Sequence, residues 1–249
     1  MSLPRPPRAV TFDCWLTLMQ DTDAGRSHRA RSEMFAALVA RHSVDLVSEK
    51  AEELIRSSWD VHLENWRKGI PFGSAGAARW CLDRVGVECT DELIEELATA
   101  FQTATPSIGT TPVDGAIAAL ELVRERGLPT ALISDTGFTP GTLVKKMLNE
   151  HGIFLDHYFF SDEVGVPKPY PGIFSAAISA AGVPAETMVH IGDLRRTDVA
   201  GARAAGMGTI RFAGVNDDGA GLEGPDDPDL PEADAIIKDW NDLELTLGL

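Results

Sequence analysis

Ala9-Val10-Thr11-Phe12-Asp13-Cys14-Trp15-Leu16-Thr17-Leu18 is a short apolar run that delivers a carboxylate, Asp13, at its end. In an open parallel sheet, that is where functional groups meet a ligand, at the carboxyl edge of the strands. Three later stretches repeat the pattern: Ile133-Ser134-Asp135, Val166-Pro167-Lys168-Pro169, and His190-Ile191-Gly192-Asp193-Leu194-Arg195-Arg196-Thr197-Asp198. Each places polar groups after apolar residues, and together they read as one site centred on Asp13.

The segments between these stretches set the architecture. From the polar stretch Asp21 to Arg31 up to about Gln102, apolar residues recur at helical spacing, as in Met34, Phe35, Leu38 and Val39, or Leu54, Ile55, Trp59, His62, Leu63 and Trp66. Ala77 to Val87 and Asp91 to Phe101 read as further helices, the second opened by Thr90 as N-cap. The Trp59, His62 and Trp66 stripe reads as core. Beyond Pro106, strand candidates at Thr130 to Ser134, His157 to Ser161, Met188 to Ile191, Thr209 to Phe212 and Ala235 to Ile237 alternate with helices. Those helices cover Val113 to Arg126, Gly141 to His151, Gly172 to Ala181 and Asp198 to Ala205, ending near Gly127, Gly152, Gly182 and Gly206. Alternation of this kind predicts an α/β fold with a parallel sheet flanked by helices. The first strand is separated from the others by a long helical block, so an α-helical cap is expected at 21–105, inserted into a core of 1–20 and 106–249. Asn216 to Glu232, rich in Asp, Gly and Pro, reads as a solvated loop.

Composition narrows the partners. The 249 residues are 44% apolar, enough for a substantial core. With 22 basic and 38 acidic side chains, the formal net charge of −16 opposes nucleic acid and anionic membranes. Met1 to Arg8 lacks the apolar centre of a signal peptide, and no apolar run reaches the roughly 18 residues of a membrane span. A cytoplasmic protein is expected, either a monomer or a homodimer. Cys14, Cys81 and Cys89 are too few and too irregularly spaced for a disulfide framework or thiolate metal site, and read as small buried hydrophobes.

The four ordered stretches, with this intervening pattern, make the chain resemble the haloacid dehalogenase-like hydrolase superfamily over nearly its whole length. The resemblance implies a Rossmann-like core in which Asp13 attacks an electrophile to form a covalent aspartyl intermediate. It implies that Ser134 holds the transferring group, Lys168 offsets negative charge, and Mg²⁺ is bound by Asp13, Asp193 and the main-chain carbonyl of Trp15. Asp198 reads either as a further contributor to the metal or as a helix N-terminal carboxylate. Asp135, Thr136 and Gly137 continue from Ser134 as a phosphate-facing turn, Thr17 resembles the hydroxyl residue that closes the first motif, and Arg195 or Arg196 offers a cation to a substrate anion. Hard oxygen donors without a Cys/His cluster favour Mg²⁺ over zinc. The expected substrate is a small anionic molecule.

Trp15 departs from the pattern. Phosphatases of the superfamily usually have a second Asp there, serving as general acid and base, and an indole performs no such proton transfer. Losing that group typically removes about 10² to 10⁴ in rate, which favours activated phosphates with good leaving groups and a long-lived intermediate. Haloacid dehalogenases also lack an acid at this position, but they resemble a motif with Ser and Asn where this chain has Gly192-Asp193, and carry a Tyr where this chain has Phe174. Phosphonoacetaldehyde hydrolases use a cap lysine, for which Lys50 and Lys68 are candidates by type, although both read as exposed helix charges. A binding or regulatory protein with little turnover is the remaining alternative.

Overall fold

The structure, a computed structural model, describes residues 3–217 and 229–249. Strand β1 (Ala9–Phe12) leads through β2 (Met19–Asp21) into helices α1 (Ala24–Ala40), α2 (Ser48–Arg67), α3 (Gly73–Arg84) and α4 (Asp91–Ile108), and β3 (Thr110–Pro112) follows. The chain then alternates through α5 (Ala116–Glu125), β4 (Thr130–Ser134), α6 (Gly141–Glu150), β5 (His157–Phe160), α7 (Ser161–Val164), α8 (Pro171–Ala181) and β6 (Met188–Gly192). A π-helical turn at Arg195–Val199 precedes α9 (Ala200–Ala204), β7 (Gly208–Phe212), β8 (Ala235–Ile237) and α10 (Leu243–Leu247).

Six strands form one parallel sheet in the order β5-β4-β1-β6-β7-β8, and β2 and β3 make a separate two-stranded sheet. Because β1, β4, β6 and β7 are buried along their length, they appear in the sequence as mainly apolar runs with single polar interruptions. From β1 the chain order proceeds outward in both directions, and such a switch point opens a crevice at the strands' carboxyl ends. Ala9, Ile133, Met188 and Met207 pack with Ile173, Phe174 and Ala177 of α8 in one apolar cluster.

The chain divides into two compact units. One takes in the described residues of 1–20, 111–135 and 148–249, and contains the six-stranded sheet; the other takes in 21–110 and 136–147. Residues of α1–α4 at three-to-four spacing build the core of the second unit, with Phe35, Val39, Ile55, Cys81, Leu82, Leu97 and Phe101 fully buried. Phe138 belongs to this core as well, which draws the segment after Asp135 into the helical unit.

Several boundaries differ from expectation for identifiable reasons. Helix α4 continues through Pro106 to Ile108 instead of stopping near Phe101. Ala104 and Thr105 are buried, and Arg31 donates from Nε to the Phe101 carbonyl at 3.0 Å and from Nη2 to the Thr105 hydroxyl at 2.9 Å. Tertiary contacts thus outweigh the break that proline encourages. The ribbon β2–β3 was too short to carry a periodic signal. Helix α1 begins at Ala24, inside the polar stretch, because the Asp23 carboxylate caps the Arg26 N–H at 3.0 Å. Thr90 caps α4 as expected, accepting from Leu93 at 3.2 Å, and Gly127, Gly152, Gly182 and Gly206 all take positive φ. Cys14 and Cys81 are buried, whereas Cys89 is only half-buried. Most of the Asn216 to Glu232 loop lies outside the described residues, but its first residue, Asn216, is buried and not solvated. Among the described residues, no helix is long and apolar enough to cross a membrane.

Candidate active site

Parallel pairing lines up the carboxyl ends of β1, β4 and β6, so Asp13, Ser134 and Asp193 follow or end adjacent strands. The link from Asp13 to the sheet is direct: its N–H donates to the Ile191 carbonyl at 2.8 Å. Immediately beyond, the chain turns tightly. The N–H groups of Leu18 and Met19 both donate to the Cys14 carbonyl, Leu16 donates to Met19, and Leu16 takes φ 59°. A leucine in the left-handed region costs of order 1–3 kcal/mol, a strain held here beside the carboxylate. Trp15 sits half-buried at the start of this turn.

Lys168 is the hub of the site. Its Nζ donates to Oδ1 of Asp13 and to Oδ1 of Asp198, each at 2.6 Å, and its backbone N–H donates to Oδ1 of Asp135 at 2.8 Å. The side chains of Asp13, Lys168 and Asp198 are almost entirely buried. The second oxygen of Asp13 accepts from the Thr17 hydroxyl at 3.4 Å. Asp198 is held on all sides: Oδ1 also meets His190 Nε2 at 3.1 Å, while Oδ2 accepts from the Leu194 N–H at 3.0 Å and the Thr197 hydroxyl at 3.3 Å. Gly192 makes room for it, since a Cβ there would stand 2.6 Å from Cβ and Oδ1 of Asp198.

Burial and like charge dominate the electrostatics. Desolvation pushes the Asp13 carboxyl up to about 7, with Lys168 pulling it down and Asp198 pushing it up. Asp193 is raised well above the usual carboxylate range by burial and then by Asp13 and Asp198. Burial alone would raise Asp198 too, but Lys168 and the His190 hydrogen bond hold it below its ordinary value. Lys168 is held above its ordinary value by Asp13, Asp198 and Asp135 despite its own desolvation.

Carboxylate oxygens of Asp13, Asp193 and Asp198 come within 4.8 Å of one another, a grouping that could hold a metal ion. If all three carboxyls ionise, one ammonium leaves an excess of two negative charges, the balance a divalent cation would restore. All three donors are hard oxygens, which fits Mg²⁺-type chemistry. Asp198 already spends its lone pairs on Lys168, His190, Leu194 and Thr197, so Asp13 and Asp193 are the better placed pair.

The other sequence candidates are divided between the two units. Ser134 is buried, its hydroxyl donating to the Asp135 carbonyl at 3.2 Å. Thr136 and Gly137 are grouped with the helical unit, where Gly137 lies close against the Trp59 ring. Arg195 and Arg196 are half-buried on the π turn. Lys50 pairs with Glu53 at 2.9 Å on the surface and Lys68 is exposed. Phe174 is buried in the core, edge-on to His190. Sequence reasoning missed three residues. Thr11 and His190 are polar positions inside apolar strand runs, a visible signal, but only their pairing across β1 and β6 joins them. Asn216, whose Nδ2 donates to Oδ2 of Asp193 at 3.4 Å, had no signal at all.

A family model for haloacid dehalogenase-like hydrolase, described as a hydrolase, matches residues 7–206. The chain is 29% identical over 232 residues to a glyceraldehyde 3-phosphate phosphatase of Methanopyrus kandleri, covering 90% of this chain and 91% of that one. It is 31% identical to haloacid dehalogenase-like hydrolase domain-containing protein 3 of Mus musculus, over 83% of this chain and 82% of that one. Among solved structures, a 2-haloacid dehalogenase from Pseudomonas syringae pv. Tomato DC3000 is similar in fold, with a TM-score of 0.68 at 20% identity over 97% of this chain and 98% of that one.

Proposed function

Because this chain belongs to the haloacid dehalogenase-like hydrolase family and is a phosphatase-like hydrolase, we propose that it hydrolyses a small phosphorylated or otherwise activated metabolite through attack by Asp13. One observation carries the reading: Asp13 is buried beside the Lys168 ammonium at 2.6 Å, with Asp193 close enough to share a cation. A carboxylate nucleophile facing a phosphoryl group gathers like charges, and Lys168 is the fixed counter-charge. Ser134 and the backbone after it would hold the transferring group. Asp13, Asp193 and the Trp15 carbonyl would hold Mg²⁺, which supplies charge neutralisation at the phosphoryl oxygens. In this reading Asp198 serves Lys168 rather than the metal, and residues 21–105 are a cap domain inserted in sequence into a core domain formed by the rest. The named phosphatase relative favours a small anionic phosphate ester.

Trp15 shapes the kinetics. Without a carboxylate at that position, leaving-group protonation and activation of the hydrolytic water lack their usual group, so an acyl or aryl phosphate should turn over faster than an alkyl one. Carbon–halogen cleavage fits less well, because Phe174 is a core ring without a hydroxyl and Asp193 completes a carboxylate grouping suited to a cation that such chemistry does not use.

Intact-mass measurement after incubation with Mg²⁺ and acetyl phosphate, for wild type and Asp13→Asn, tests the reading. A phosphoryl-mass adduct or product release in wild type alone supports it. Absence of both from wild type, with Mg²⁺ bound, overturns it.

A further inference from the structure

We propose that His190 is a positioning residue that, through Asp198, sets where the Lys168 ammonium stands beside Asp13; this rests on the reading of Asp13 and Lys168 as the reacting pair. The residues form one unbroken buried chain. Thr11 and His190 are register partners on the adjacent strands β1 and β6, with Thr11 Oγ1 2.8 Å from His190 Nδ1. His190 Nε2 is 3.1 Å from Oδ1 of Asp198, and that same oxygen accepts from Lys168 Nζ at 2.6 Å.

The direction of each hydrogen bond follows from the chemistry of the groups. A carboxylate paired with an ammonium is acceptor-only, so His190 must carry its proton on Nε2 to bond Asp198. Nδ1 is then a bare lone pair, and the Thr11 hydroxyl donates to it. The Phe174 ring, edge-on at 5.4 Å, fixes the plane of the imidazole.

An imidazole buried in an otherwise apolar strand needs both nitrogens satisfied, a demand no aliphatic side chain would make there. What it supplies in return is a rigid donor to one carboxylate oxygen. Lysine is a point charge on a flexible stem and finds its place from its acceptors. With Oδ1 of Asp198 held by His190 and Oδ2 held by Leu194 and Thr197, the ammonium has a fixed anchor opposite Asp13.

The test uses the full chain with three variants, His190→Leu, His190→Gln and Thr11→Val. With p-nitrophenyl phosphate and Mg²⁺, His190→Leu is expected to lower kcat about 10- to 100-fold while KM changes less than about twofold. His190→Gln retains an N–H donor and is expected to recover most of the loss. In ¹⁵N-histidine-labelled wild type at neutral pH, NMR is expected to show His190 protonated on Nε2 and not on Nδ1, with the Nδ1 resonance shifting in Thr11→Val. Unchanged kcat in His190→Leu, equal impairment in the Leu and Gln variants, or the opposite tautomer overturns the proposal. Should His190→Leu fail to fold, the Gln variant and the tautomer decide. A wild type with neither turnover nor phosphoryl adduct sinks the phosphatase reading instead. Beryllofluoride binding with Mg²⁺ then replaces kcat, and weaker binding by the Leu than the Gln variant supports the positioning role while equal binding overturns it.

Discussion

Asp13 and Asp198 share a single ammonium, Lys168 Nζ, which lies 2.6 Å from Oδ1 of each. Removing that shared charge strands two buried carboxylates, and breaking a buried pair typically costs about 3–5 kcal/mol. Lys168→Met is therefore expected to abolish turnover and lower stability on that scale at pH 8 without added metal. The loss should shrink at pH 5, where Asp13 can take up a proton. Urea unfolding at the two pH values measures it, and equal stability of variant and wild type at pH 8 would contradict the shared-charge account.

Gly192 is required by the close approach of Asp198, not by backbone conformation. Gly192→Ala places a methyl group in the space of the Asp198 side chain, and overpacking of this sort typically costs about 1–3 kcal/mol. Activity should fall further than stability, because the displaced carboxylate anchors Lys168. Parallel measurement of melting temperature and kcat checks this, and an Ala variant with wild-type kcat would show that Asp198 tolerates displacement.

The metal-free protein is expected to lose stability as pH rises toward neutrality. Asp13 titrates in the folded state above its ordinary 3.8, at about 7, so its contribution is complete below the unfolded value and lost as pH rises through the folded one. Asp193, also raised, acts with the same sign. Asp198, held low, acts oppositely: its contribution is present above 3.8 and lost on further acidification. Mg²⁺ should restore stability near pH 7 and release protons on binding. Melting curves with EDTA or Mg²⁺ and calorimetry in two buffers test this. Binding without proton release at pH 6 would refute it.

Trp15→Asp is expected to raise turnover of alkyl phosphate esters relative to acetyl phosphate by about 10² to 10⁴, the typical worth of a positioned general acid or base. Comparison of the two substrate classes in both proteins gives the ratio. An unchanged ratio would mean that proton transfer is not what the wild type lacks.

Much of this molecule is legible in its sequence for a physical reason. Strands buried on both faces are mainly apolar, so the runs ending near Asp13, Ser134 and Asp193 announce both the sheet and the edge that carries the candidate site. Helix ends with positive-φ glycines are equally visible. What escaped depends on long-range geometry. Helix α4 passes Pro106 because Arg31, far away in the chain, bonds its carbonyl and hydroxyl groups. Asn216 reaches Asp193 from a loop that reads as solvated, and Thr11 meets His190 only through strand register. Phe138 follows the Ser134 motif but buries itself among the helices, which no local pattern reveals.

Strand β1 occupies the middle of the sheet, yet the hydrogen-bonded neighbours that complete it come much later in the chain: Thr11 meets its partner His190 across a separation of 179 residues. On a ribosome adding about 5–20 residues per second, the strand carrying Asp13 waits roughly ten to forty seconds before β6 exists. Over that interval α1–α4, whose contacts are local, can assemble, while β1 and the carboxylate that follows it lack their β6 partner. The candidate site is thus a product of the second half of synthesis, and a nascent chain released before β6 holds Asp13 without the Ile191 carbonyl, Lys168 and Asp193 that surround it in the folded protein.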